Sequence, residues 1–99
     1  MAQDPVKVDS KHYTVEFEND QVRVLRAKMA PGEKSVMHGH PAGVAVFLTD
    51  HYGRFTYPDG KTEEVNAKAG QALFVGPMEH LPENIGSKTL EVLLIELKH

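Results

Sequence analysis

Apolar and polar residues alternate with a period close to two along most of the chain. His12 to Glu18 sets Tyr13, Val15 and Phe17 against Thr14, Glu16 and Glu18. That spacing sends one set to the core face of a strand and the other to solvent. Glu18-Asn19-Asp20 reads as a turn, and Gln21 to Met29 as a second strand. It stops at Ala30-Pro31-Gly32, where proline sets φ and glycine supplies any positive φ the turn requires. A loop to Met37 follows, and His38-Gly39-His40 opens the next extended segment. Val44 to Thr49 is a nearly continuous apolar run between Gly43 and the turn-like Asp50-His51-Tyr52-Gly53. It is too short for a typical helix and predicts a strand buried on both faces.

Arg54 to Tyr57, the turn Pro58-Asp59-Gly60 and Thr62 to Ala67 predict a hairpin. Lys68-Ala69-Gly70 leads into Ala72 to Val75, Gly76-Pro77 breaks that strand, and Ile85-Gly86-Ser87 separates a segment carrying His80 from a last strand, Thr89 to Leu97. A helix could be drawn through Leu90, Leu93, Leu94 and Leu97, but Val92 and Ile95 favour β and no cap precedes them. About eight short strands between Gly/Pro/Asp turns, with no 3.6-residue stripe, predict an all-β antiparallel sandwich or barrel. Residues 1–10 are expected to be a flexible segment and residues 11–99 a single domain.

Composition narrows the function classes. The 99 residues suffice for one modest core, and 40% hydrophobic with 25% charged residues is an ordinary globular balance. Eleven basic against fourteen acidic residues give a net charge of -3 without any Lys/Arg run, so no nucleic-acid partner is expected. The absence of cysteine removes disulfides, thiolate ligands and a cysteine nucleophile, but fits the cytoplasm and the periplasm alike. No apolar run approaches a membrane span of about 20 residues, and Met1 to Ser10 lacks the pattern of a signal peptide. A soluble chain with no membrane partner is expected.

Candidate chemistry centres on histidine. Imidazoles at i and i+2, as in His38 and His40, project to one side of a strand and can converge on one metal ion, whereas a helix would need i and i+4. Gly32, five residues, His38-Gly39-His40 and then Gly53 resemble the first signature of the cupins. Gly70, an apolar strand, His80, three residues and Asn84 resemble the second. The resemblance runs from about Val22 to Leu97. It implies a small double-stranded β-helix (jelly-roll) barrel, commonly a homodimer, with His38, His40 and His80 binding a divalent metal inside.

The chain departs from the family pattern in two places. A glutamate ligand is expected four or five residues after the second histidine, where Val44 and Ala45 stand. The usual Pro-x-Gly before the third histidine is replaced by the shorter Gly76-Pro77-Met78-Glu79, and neither Glu79 nor Glu83 can be assigned as a substitute ligand from spacing. Three neutral imidazoles suit Fe(II), Zn(II), Cu(II), Ni(II) or Mn(II). Without a coordinating carboxylate the ion keeps its full charge and favours small anionic chelating ligands. The resemblance implies an Fe(II) dioxygenase-type enzyme, with a zinc hydrolytic centre ranked lower for want of a general base. The alternative is a non-catalytic small-molecule-binding or sensor module.

The remaining residues have plainer readings. His12, His51 and His99 are expected at the surface, and Asn84 is expected to satisfy backbone groups at a strand end. Phe47, Phe55, Tyr57 and Phe74 are expected to pack in the barrel, and Met37 and Met78 to fill gaps near the site. Gly32, Gly53, Gly60, Gly70 and Gly76 are read as backbone necessities of turns. The terminal strands, His12 to Glu18 and Thr89 to Leu97, are expected to contribute to a homodimer.

Overall fold

The computed structural model describes residues 3–98. A single helical turn, α1 (Pro5–Val8), precedes nine strands: β1 (Tyr13–Glu18), β2 (Val22–Met29), β3 (His38–His40), β4 (Gly43–Phe47), β5 (His51–Thr56), β6 (Thr62–Ala67), β7 (Ala72–Val75), β8 (Met78–Asn84) and β9 (Leu90–Leu97). They form a five-stranded sheet of order β1-β2-β9-β4-β7 and a four-stranded sheet of order β3-β8-β5-β6. Every ladder is antiparallel. Among the described residues no helix is long and apolar enough to cross a membrane.

Register carries the alternating pattern across the larger sheet. Leu25 lies opposite Leu94, Leu94 opposite Ala45, and Ala45 opposite Leu73. This inward row joins Tyr13, Ala27, Met29, Phe47, Leu90 and Val92 in the core. Leu25 is wholly buried, and hiding such a side chain contributes roughly 1.5–3 kcal/mol. The next row, Phe17, Val24, Ile95, Val44 and Phe74, runs across the outer face of the same sheet.

Phe17 reaches that outer row because the register shifts between Val15 and Phe17. A bulge adds one residue to a strand and turns the following side chains to the opposite face, so Tyr13 points inward and Phe17 outward. Phe74, expected in the barrel, is likewise 66% exposed on the outer face.

Other differences follow from pairing. Residues 5–8 are helical within the segment expected to be unstructured, because Asp4 caps the turn by accepting from the Val6 amide at 3.0 Å and Pro5 enters its start. The β4 strand buries Gly43, Ala45 and Phe47 and leaves Val44 and Val46, on the outer face of its sheet, half-buried. The turn expected at 50–53 begins β5 instead. At the other turns, Gly60 takes a φ of 88° between the hairpin strands. Asn84 matches its structural reading, donating to the Met29 and Lys88 carbonyls and accepting from the Gly86 amide, each at 2.9 Å. It thereby ties the end of β8 to the end of β2 in the other sheet.

Candidate metal centre

The β3–β8 ladder sets His38 directly opposite His80 and His40 opposite Met78. Cross-strand partners share a face, and so do residues two apart on one strand. All three imidazoles therefore enter the barrel together. His38 and His80 are buried, and one ligand atom from each histidine lies within 4.8 Å of the others. The rings stand nearly perpendicular, with centroids 4.8, 5.0 and 5.2 Å apart.

Hydrogen bonds fix which nitrogens face the centre. His38 donates from Nδ1 to the Val36 carbonyl at 2.8 Å, and His40 donates from Nδ1 to Glu96 Oε2 at 2.9 Å. The Nε2 atoms of the two rings then face each other 3.0 Å apart. Two ring nitrogens at that separation hold either a proton or a metal ion between them. Ligand atoms about 2.1 Å from one ion and 3.0 Å apart subtend about 90° at it, so the pair suits a shared metal. Both His80 nitrogens are buried without a protein hydrogen-bond partner.

Electrostatics hold His38 and His80 in the ligating form. Burial, reinforced by His40 and then His38, pushes His80 down to about 3. Burial and then His40 push His38 down to about 4. Neutral imidazole is the form that binds metal.

Glu96 is the supporting residue that spacing did not disclose. Its Oε1 accepts from Arg23 Nε at 2.9 Å, and the Arg23 guanidinium reaches both oxygens of Asp4 at 2.9 and 3.0 Å. Burial opposes ionisation of Glu96, yet the hydrogen bonds from His40 and Arg23 outweigh it and keep the carboxyl below its usual range. The signal was present in β9, where Leu90, Val92, Leu94 and Glu96 share a period-two row that puts a carboxylate on the core face. Glu96 sits behind His40, at Nδ1, and does not replace the missing ligand. Glu83 instead faces Arg54 at 3.6 Å, and Glu79 is exposed.

On the other flank, Ser35 Oγ lies 3.4 Å from His38 Nδ1 and donates to Asp9 at 2.5 Å. Asp9 also receives His12 Nδ1 at 2.8 Å, and His12 Nε2 meets Glu33 at 3.2 Å. His12, expected at the surface, is therefore buried, because two carboxylates enclose its ring. His51 is buried too, since β5 begins at that residue and turns its ring inward. His99 lies outside the described residues.

A cavity of about 110 Å³ adjoins His40 and His80, walled mainly by apolar side chains that include Met29, Phe47, Phe55, Met78 and Val92. Phe55 lies edge-on to His80 with centroids 4.3 Å apart.

Two antiparallel sheets enclosing inward-facing histidines define a double-stranded β-helix of the jelly-roll type. No protein-family model matches the chain, and no curated protein does. Solved structures do. A cupin domain from Bordetella pertussis Tohama I is 24% identical with a TM-score of 0.81, over 88% of this chain and 92% of its own. A predicted oxalate decarboxylase from Thermotoga maritima is 30% identical with a TM-score of 0.54, over 80% and 69%. The polyketide cyclase RemF from Streptomyces resistomycificus is 20% identical with a TM-score of 0.63, over 88% and 64%. The chain is a small cupin.

Proposed function

We propose that this cupin is a mononuclear metal protein in which His38, His40 and His80 hold one divalent ion, Fe(II) in the favoured reading, for dioxygenase-type chemistry on a small anionic substrate. The observation that carries the reading is the convergence of a ligand atom from each of the three histidines within 4.8 Å, with both His80 nitrogens buried and partnerless. When bound, the ion supplies Lewis acidity and one-electron chemistry to a chelating anion. The chain's own part is to keep His38 and His80 neutral, aim His38 and His40 through Val36 and Glu96, and exclude water with an apolar wall. With no carboxylate in the donor set, the positive charge at the centre is left for the substrate to neutralise.

The same wall favours a second reading, a non-catalytic binding module. The carboxylate beside the histidines, Glu96, is committed to His40 and Arg23 and is not free to move a proton. Metal analysis of untagged protein, followed by oxygen uptake with Fe(II) and a panel of diketones, thiols and phenolic acids, separates the readings. Stoichiometric metal with turnover supports the enzyme, and stoichiometric metal without turnover supports the module. Unchanged metal content in alanine variants of all three histidines would sink the three-histidine metal site and the enzyme with it.

We further propose a homodimer formed through the outer face of the five-stranded sheet. That face carries the row from Phe17 to Phe74 beside Arg26, which pairs with Glu16 and Glu91. Apolar residues and charges of both signs on one surface suit a second copy of itself. Strand β9 is interior to its sheet and contributes a face, while β1 and β7 hold the edges.

A further inference from the structure

Strand β5 turns His51, Gly53 and Phe55 toward the interior. Phe55 meets the metal centre at His80, and His51 packs edge-on against Phe47 at 4.9 Å, so the strand leads from the histidine triad to another part of the cavity. His51 is only 8% exposed. Both its ring nitrogens are inaccessible to solvent and have no hydrogen-bond partner among the described residues. A neutral imidazole carries one donor and one acceptor, and leaving both unmet in an apolar wall is costly. It is no member of the metal triad.

The neighbouring backbone makes room for this ring. A Cβ at Gly53 would stand 2.7 Å from His51 Nε2 and 3.2 Å from the Glu83 carbonyl. Glycine weakens a strand interior and marks a close approach, and here the approach is that of the His51 ring. Burial also keeps His51 neutral by lowering its pKa, which preserves both a donor and an acceptor.

We propose that His51 is a second anchor of the ligand site: a half-turn of its ring exchanges its nitrogens with ring carbons and lets it pair with a hydroxyl or carbonyl on the tail of a small compound whose anionic chelating head lies at the triad. This rests on the metal reading above and adds the substrate class. A cavity of about 110 Å³ restricts the compound to a few heavy atoms.

The test uses the full chain loaded with Ni(II) and titrated calorimetrically with short 2-oxo acids ending in a hydroxyl and with their methyl-ended isosteres. At least one hydroxyl compound is expected to bind about tenfold or more tightly than its isostere, and His51→Leu is expected to erase that preference while leaving nickel stoichiometry unchanged. The metal-free His51→Leu protein is expected to melt at or above the temperature of the parent, because its ring nitrogens bond to nothing in the fold. A lower melting temperature, equal affinities within every pair, or no binding of any acid to nickel-loaded protein overturns the His51 assignment and leaves the metal site standing. Failure of nickel to bind removes both.

Discussion

Glu96 holds His40 and Arg23 at once, accepting from His40 Nδ1 through one oxygen and from Arg23 Nε through the other, each at 2.9 Å. The carboxylate fixes the tautomer and angle of the ring, which is how groups behind a metal ligand tune affinity. Glu96→Gln keeps the shape and removes the charge. Metal affinity is expected to fall by about 10–100-fold, measured by competition with a chelating dye, while the fold is retained by circular dichroism. Asp4→Asn is expected to cause a smaller loss, because it acts through Arg23. Affinity unchanged in Glu96→Gln would show that His40 needs no support.

Metal binding should register as thermal stability. A ligand that binds only the folded state at about 100 times its dissociation constant adds about 2.7 kcal/mol, and each kcal/mol raises the melting temperature of a chain this size by about 4–8 °C. A rise of about 10 °C or more is expected on adding Fe(II) anaerobically, or Ni(II) in air, to chelator-treated protein. His80→Ala should abolish the rise. A similar rise in that variant would place the metal elsewhere.

What could be read beforehand depended on how local the determinant was. His38 and His40 announce themselves because the period of a strand puts both on one face, and the glycine-anchored spacings extend the pattern to His80. The opposition of His38 and His80 is a matter of β3–β8 register, which no local spacing records. Glu96 acquires its role only when β9 lies between β2 and β4, beside Arg23 and within reach of His40. His51 was hidden by composition. Asp50-His51-Tyr52-Gly53 looks like a turn, but Gly53 is there for a ring that crosses it. The bulge before Phe17 broke an alternation that looked regular, because an inserted residue leaves no mark in the polar pattern.

Acid should weaken the metal-free protein well above the range in which carboxylates titrate. In the unfolded chain histidine takes up a proton near its ordinary value of about 6.5. In the fold, burial and the neighbouring imidazoles keep His38 neutral down to about 4 and His80 down to about 3. Between these limits the unfolded chain binds more protons, so stability rises with pH and is lost as pH falls from about 6.5 toward 4. The lowered carboxyls of Glu96 and Asp4 act with the same sign at lower pH. A loss on the order of a few kcal/mol is expected from urea titrations between neutrality and pH about 4. His80→Phe should make the dependence shallower, with His38 and His51 keeping the rest, and an identical slope in that variant would reassign it to other groups.

The proposed dimer can be tested where it is most exposed. Phe74 on edge strand β7 and Phe17 on edge strand β1 are 66% and 55% exposed, at opposite ends of the row that crosses the outer face. Covering them in a symmetric contact would bury apolar area that a lone barrel leaves in water. The parent chain is expected to sediment as a dimer at micromolar concentration. Phe74→Glu should shift it to monomer, because a charge would then be buried without a partner. Since Phe74 points away from the cavity, nickel stoichiometry should not change. A monomeric parent, or a Phe74→Glu protein that remains dimeric, would rule out this face as the interface.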